Sequence, residues 1–134
     1  MRERRDAAGL SNLLAPVRID AADPDGWPVK RADAIVCINM IHISPWTAAE
    51  GLMRGAGRLL PSGGLLYLYG PFREAGRHTA PSNAAFDESL RARDPDWGVR
   101  DLDAVEALAD RCGLALSSRI PMPANNLSVL FEKR

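Results

Sequence analysis

Apolar and polar residues alternate along this chain with two different periods. Ala34 to Ile38 and Leu65 to Gly70 are continuous apolar runs of strand length, the pattern of parallel strands buried on both faces. Between them Trp46, Ala49, Met53, Ala56 and Leu60 recur at spacings of three and four, which predicts a helix with one buried face. Ser44 as cap and Pro45 at the first helical position open it, and "PSGG" (61–64) breaks it. A second amphipathic helix follows Asp101 as cap, with Leu102, Val105, Leu108 and Cys112 as its buried stripe and Gly113 as its stop. A shorter helix is predicted over "AAFDESLRAR", capped by Ser82 or Asn83 and ended by "DPDWG" (94–98). The runs 114–120 and 127–133 read as strands around "PMPANN", and six intervening residues leave no room for a crossover helix, so this pair is antiparallel. At the start, residues 1–8 read as the end of a helix stopped by Gly9, and "APVRID" (15–20) reads as a short strand ending at Asp20. Strands alternating with helices make an α/β sheet protein.

Composition narrows the class. With 134 residues the chain is one domain with a sizeable core. Seventeen basic and seventeen acidic residues cancel, which argues against nucleic acid as a partner because its recognition needs a concentrated positive field. No run reaches the eighteen or so apolar residues of a membrane span, and "MRERRD" opens neither a signal nor a transit peptide, so the expected location is the cytoplasm. Cys37 and Cys112 read as isolated thiols in a reducing compartment.

In open parallel sheets, ligands sit beyond the carboxyl ends of the strands. That rule selects Asp20, the stretch Asn39 to His42, and Gly70 to Phe72, with the loops 76–83 and 123–126 beside them. Each has a plainer role to set against it. A strand-ending Asp usually forms a turn, Asn39, Asn125 and Asn126 are turn residues, Trp46 is core, and a lone histidine is usually a satisfied structural group. The only two histidines, His42 and His78, nevertheless both fall at strand-tip loops, and imidazole suits proton transfer near neutral pH. No G-x-S-x-G elbow is present, and no H-x-x-x-H or C-x-x-C spacing offers a metal site. The glycines of "GAGRLL" (55–60) lie inside a helix and build no phosphate loop. A short-chain dehydrogenase is excluded, since Pro71 and Arg73, not lysine, stand four residues after Tyr67 and Tyr69.

The runs "NMIHISPW" (39–46), "GAGRLLPSGGLLYLYGPF" (55–72), "GRHTAPSNAAFDESLRARDPDWGVRD" (76–101) and "PANNLS" (123–128) closely resemble an uncharacterised methyltransferase-like family of the class I S-adenosylmethionine-dependent fold, over about residues 13–134. The resemblance implies a single, partial domain over 1–134: an open, Rossmann-like, mostly parallel α/β sheet with an antiparallel C-terminal strand pair, lacking the first two strands of that fold. Such proteins carry a strand, a glycine-rich turn, a helix and a second strand ahead of these segments, roughly 60 residues that this N-terminally shortened sequence does not contain. The implied activity is methyl transfer from S-adenosylmethionine to a small-molecule acceptor. Asp20, with Ala21 behind it, matches the strand-end acid at the adenine amino group. Asn39 and Met40 match the segment beside the sulfonium and adenine. His42, His78, Tyr69, Phe72, Ser82, Asn83, Asn125 and Asn126 fall on the acceptor side, with His42 or His78 as the base and Tyr69 or Phe72 against the cationic sulfur. The glycine turn and the ribose-holding acid are not in this sequence, so a non-catalytic α/β interaction module stands as the alternative.

Strand order in that fold carries two further expectations. Residues 15–20 have lost their neighbours and 34–38 becomes a bare edge, so either the two segments pair directly or two chains associate through the exposed edge. The strand-tip rule also places His42 and His78 on one side of a common cleft.

Overall fold

Two doubly apolar runs found the sheet. The computed structural model describes residues 2–134, and in it β1 (Ala34–Ile38) and β2 (Leu65–Gly70) pair in parallel, with Ala34 opposite Leu65 and Ile38 opposite Tyr69. β4 (Asn126–Lys133) pairs antiparallel with the other side of β2, and β3 (Leu114–Met122) pairs antiparallel with β4, giving the order β1-β2-β4-β3. Only β4 is reversed, so the sheet is open and mostly unidirectional, as expected. A short α1 (Arg2–Ala8) precedes it, ended by Gly9 at φ +62°.

Helices α2 (Trp46–Leu59) and α4 (Leu102–Arg111) cover one face. Met53, Ala49 and Ala56 of α2 and Val105 and Ala109 of α4 are sealed against Leu66 and Leu68 of β2 and Val129 and Phe131 of β4. A fully buried side chain of this kind stabilises by ~1.5–3 kcal/mol, so this layer carries the fold. Asp101 caps α4 by accepting the Asp103 N–H at 2.9 Å, and Gly113 stops it at φ +81°. The third helix, α3 (Pro81–Arg93), begins earlier than the sequence suggests. Pro81 takes the first helical position and Ala80 the cap, because a fixed φ and a missing N–H cost nothing there. Ser82 and Asn83, expected as caps, lie inside its first turn. Likewise Pro45 rather than Ser44 flanks α2, while the Ser44 hydroxyl donates back to the Met40 carbonyl at 2.5 Å.

Residues 15–20 form no strand. With no neighbour to supply a ladder, Val17 and Ile19 stand exposed in extended chain, and direct pairing with β1 does not occur. β1 is therefore the sheet edge. Asn39 N–H donates to the Tyr69 carbonyl and Leu65 N–H to the Asp33 carbonyl, so odd-numbered residues face β2. The backbone groups of Ala34, Val36 and Ile38 point outward, without a strand beside them. On the sheet face opposite α2 and α4, Val36 is 64% and Ile38 60% exposed, and Leu65, Ile120 and Met122 share that uncovered face. Among the described residues no helix is long and apolar enough to cross a membrane.

Val36→Lys is expected to shift unfolding stability by no more than about 0.5 kcal/mol, as an exposed substitution does. Leu66→Ala, on the sealed face of the next strand, should cost ~2–5 kcal/mol in urea unfolding. A comparable loss for Val36→Lys would mean that the edge is covered in solution.

Candidate functional site: two clefts divided by the tip of β1

The chain leaves β1 through Asn39, whose φ of +60° lies in the left-handed region that asparagine tolerates better than most residues. A single 3-10 turn, Met40–His42, then leads to α2. This sharp exit puts two consecutive residues on different sides: Met40 lines one cleft and Asn39 another.

The first cleft holds about 700 Å³ and is lined by Arg18, Asp20, Ala21, Met40, Pro45 and Ala48 among others. Asp20 sits at its rim because its carboxylate accepts the Ala22 N–H at 2.9 Å, while the Trp27 indole N–H donates to the Asp20 carbonyl at 2.7 Å. The loop is seated in a notch of α2. A methyl group at Gly51 would overlap the Ala21 carbonyl, and one at Gly55 would overlap the Trp27 ring. Glycine inside a helix costs ~1 kcal/mol relative to alanine. Here it permits a backbone approach that no other residue allows.

The second cleft, about 320 Å³, gathers Asn39, Pro71, Ser82, Asn83, Phe86 and the hairpin tip Ala124, Asn125 and Asn126. Asn83 ties α3 to that tip: its amide nitrogen donates to the Thr79 hydroxyl at 3.2 Å and to the Asn125 carbonyl at 3.0 Å. Ala124 and Asn125 hold φ of +61° and +60°. Of the four non-glycine residues with positive φ among those described, three thus line this one cleft. Strain of this sort costs ~1–3 kcal/mol per residue and collects at ligand sites.

Behind both clefts lies a buried polar cluster. His42 is fully buried and its ring packs edge-on against Phe72, with centroids 4.8 Å apart. Its Nδ1 accepts the Arg100 N–H at 2.9 Å and its carbonyl accepts the Gly98 N–H at 3.0 Å. Arg100 closes the clasp by donating to the carbonyls of Ile41, Ser44 and Asp96 while lying 5.5 Å over the Trp46 ring. Burial above all, and then the Arg100 charge, push the His42 pKa down to about 3, with Asp87 opposing. Asp87 accepts the Val99 N–H at 2.8 Å and pairs with Arg91 at 3.2 Å and with His78 Nε2 at 3.3 Å. Burial works to raise its pKa, but the Val99 hydrogen bond and Arg91 outweigh it and hold the carboxyl below its usual range.

These placements divide the expected residues. Asp20, Ala21 and Met40 fall together in the first cleft, as the resemblance implies for a cofactor. Ser82, Asn83, Asn125 and Asn126 fall together in the second. Asn39, expected with the cofactor, belongs to the second cleft instead. His42 is a strut and not a base: with Nδ1 occupied by an N–H, its proton must sit on Nε2, and no cleft opens onto the ring. Phe72 is sealed in the core, and Tyr69, half-buried on the sheet face opposite α2 and α4, lines neither cleft. Neither His42 nor His78 lines either cleft; His78 pairs with Asp87, and His42 with the Arg100 backbone. Sequence reasoning passed over Asp87 and Arg100, whose polar neighbourhood "DESLRARDPDWGVRD" reads as a solvated surface. It also passed over Phe86 and Ala124. Among the described residues no group of His, Cys, Asp and Glu is placed to hold a metal.

Two consequences are measurable. A Cβ on Gly70 would stand 2.5 Å from His42 Nε2, so Gly70→Ala should cost ~1–3 kcal/mol in urea unfolding through overpacking. Because the native His42 pKa lies far below the unfolded value of ~6.5, the unfolded chain takes up the proton first as pH falls. The His42 contribution is thus complete above about pH 6.5 and declines as pH falls toward about 3, with a slope of up to ~1.4 kcal/mol per pH unit. His42→Gln should flatten the stability profile between pH 7 and 5, and an unchanged slope would contradict the assignment.

The same architecture occurs in several solved structures. LaPhzM matches over 99% of this chain and 39% of its own, with 17% identity and a TM-score of 0.78. NcsB1, an O-methyltransferase from neocarzinostatin biosynthesis in complex with S-adenosylmethionine and 2-hydroxy-5-methyl naphthoic acid, matches over 98% of this chain and 37% of its own, at 19% identity and TM-score 0.75. An O-methyltransferase family 2 protein from Planctomyces limnophilus DSM 3776, in complex with apigenin, matches over 84% and 33%, at 24% identity and TM-score 0.71. At such identities the likeness establishes the fold alone, an open α/β sheet, and the chain spans about two fifths or less of the solved chains it matches. A family model covers nearly the whole sequence, residues 1–133, and the chain belongs to that family, described as protein of unknown function DUF938.

Proposed function

We propose that this chain carries the adenine side and the acceptor side of an S-adenosylmethionine-dependent methyl-transfer site. The observation that supports this best is the division at Asn39–Met40. Two clefts at the carboxyl ends of the strands lie on either side of a single sharp turn, one with Asp20, Ala21 and Met40 and the other with Ser82, Asn83, Asn125 and Asn126. The first cleft fits the adenine end of the cofactor. Asp20 uses Oδ1 on its own turn and keeps Oδ2 to accept from an exocyclic amino group, and Ala21, Met40, Pro45 and Ala48 supply apolar walls. The lining of that cleft includes no glycine-rich turn for the methionine end, so the adenine end is the part of the cofactor that it fits.

Bound there, the cofactor supplies an electrophilic methyl group, and methyl transfer asks the protein mainly for alignment and exclusion of water. Asp20 and Met40 orient, and the amide-lined cleft positions the acceptor. His78 pairs through Nε2 with Asp87 at 3.3 Å and lines neither cleft, so on this reading the cleft residues align the two substrates and none of them is assigned as the base. His42 acts only through position, by locking the turn that separates the clefts.

The bare β1 edge and uncovered sheet face support a second reading, an α/β module whose role is to bind another chain through that edge, a second copy included. Calorimetry separates the two. On the methyl-transfer reading, S-adenosylmethionine binds this chain with heat below millimolar concentration, and Asp20→Ala weakens binding about tenfold or more, the cost of a charge-assisted hydrogen bond. Silence at millimolar cofactor, or indifference to Asp20→Ala, leaves the interaction module.

A further inference from the structure

The second cleft has a chemistry of its own, and on the reading that it receives the methyl acceptor, that chemistry limits what the acceptor is. No ionisable side chain lines it. Its polar groups are a hydroxyl and four amides, and the nitrogens of three of these amides already serve inside the protein. Asn83 donates to Thr79 and to the Asn125 carbonyl, Asn125 donates to the Ser82 hydroxyl at 3.4 Å, and Asn126 donates to the Pro123 carbonyl at 3.4 Å. The Asn83 orientation is forced, because a backbone carbonyl can only accept. All three side-chain oxygens are left without an internal donor among the described residues, and Asn39 Oδ1 at the cleft's inner end is buried without one.

The geometry points to an uncharged ligand that donates N–H or O–H, such as a primary amide, an aminated heterocycle or an alcohol, with a flat apolar body against Phe86 and Pro71. A carboxylate or phosphate would lose its water in a cleft with no cation lining it to offset the charge. An ammonium would find acceptors but no counter-charge, and stripping its water costs several kcal/mol. A neutral donor meets neither obstacle. The strained hairpin tip suits the same purpose: Ala124 and Asn125 hold their left-handed backbone where two consecutive asparagines reach the cleft wall.

Ligand-observed NMR with three matched probes tests this on the whole chain without cofactor. Benzamide offers two N–H donors, N,N-dimethylbenzamide none, and benzoate replaces them with a negative charge. Benzamide should bind at least about fivefold more tightly than either of the others, the scale of one or more unmade hydrogen bonds. Phe86→Ala should weaken benzamide severalfold, placing it in this cleft, and Asn126→Asp should raise the affinity for benzylammonium at least about fivefold. Equal binding of dimethylbenzamide or benzoate, binding indifferent to Phe86→Ala, or no binding of benzamide at its solubility limit would each overturn the assignment. Because the readout needs no cofactor, a chain that fails to bind S-adenosylmethionine yet selects benzamide would refute the methyl-transfer reading and leave the ligand class standing.

Discussion

A neutral imidazole buried at the carboxyl edge of the sheet holds the neighbouring loops in place. His42 receives one backbone N–H on its ring and another on its carbonyl, both from the 98–100 segment, and its ring seals the space between Phe72 and Gly70. Arg100 then adds three carbonyl contacts around it. Remove the ring and the tip of β1, the loop after β2 and the entry to α4 lose their common partner. The cleft walls rest on this clasp, since Asn39 and Met40 take their opposed positions from the turn that it fixes.

The clasp lies on the side of the sheet where packing is dense. The β1 edge and the face opposite α2 and α4 are the contrary case, with apolar side chains wet and backbone groups unpaired. A protein interior tolerates neither for long stretches. The two clefts differ in their walls: the second is walled by α3 and the hairpin tip, while the first is walled by the 18–26 loop and the start of α2.

Strands and helices were legible wherever one period dominated. The runs 34–38 and 65–70 and the stripes of α2 and α4 each had a single interpretation, and the antiparallel last pair followed from loop length alone. Residues 15–20 misled because alternation signals a strand only if a neighbour exists to supply the ladder. The clefts were partly legible through the strand-tip rule, which located Asp20, Asn39, Met40 and the two asparagine-bearing loops. Depth was not legible. Nothing in "NMIHISPW" says that His42 points inward and Met40 outward, because a 3-10 turn entered through a left-handed residue has no sequence period to read. Asp87 and Arg100 were hidden for the opposite reason: charged residues in a charged stretch look solvated until burial shows them paired.

Helix α2 carries the cost of this arrangement. Gly51, Gly55 and Gly57 remove side chains from its surface where the Ala21 carbonyl, the Trp27 ring and the Cys112 carbonyl press in. Three glycines lower the intrinsic helicity of a 14-residue segment by ~3 kcal/mol against alanine. A helix so handicapped does not form early from local preference; it gains its structure from the loop and the helix end that fill its notches. Helix and loop are therefore mutually dependent: whatever loosens the 20–27 loop removes contacts that α2 needs, and the cleft that borders this loop shares that dependence.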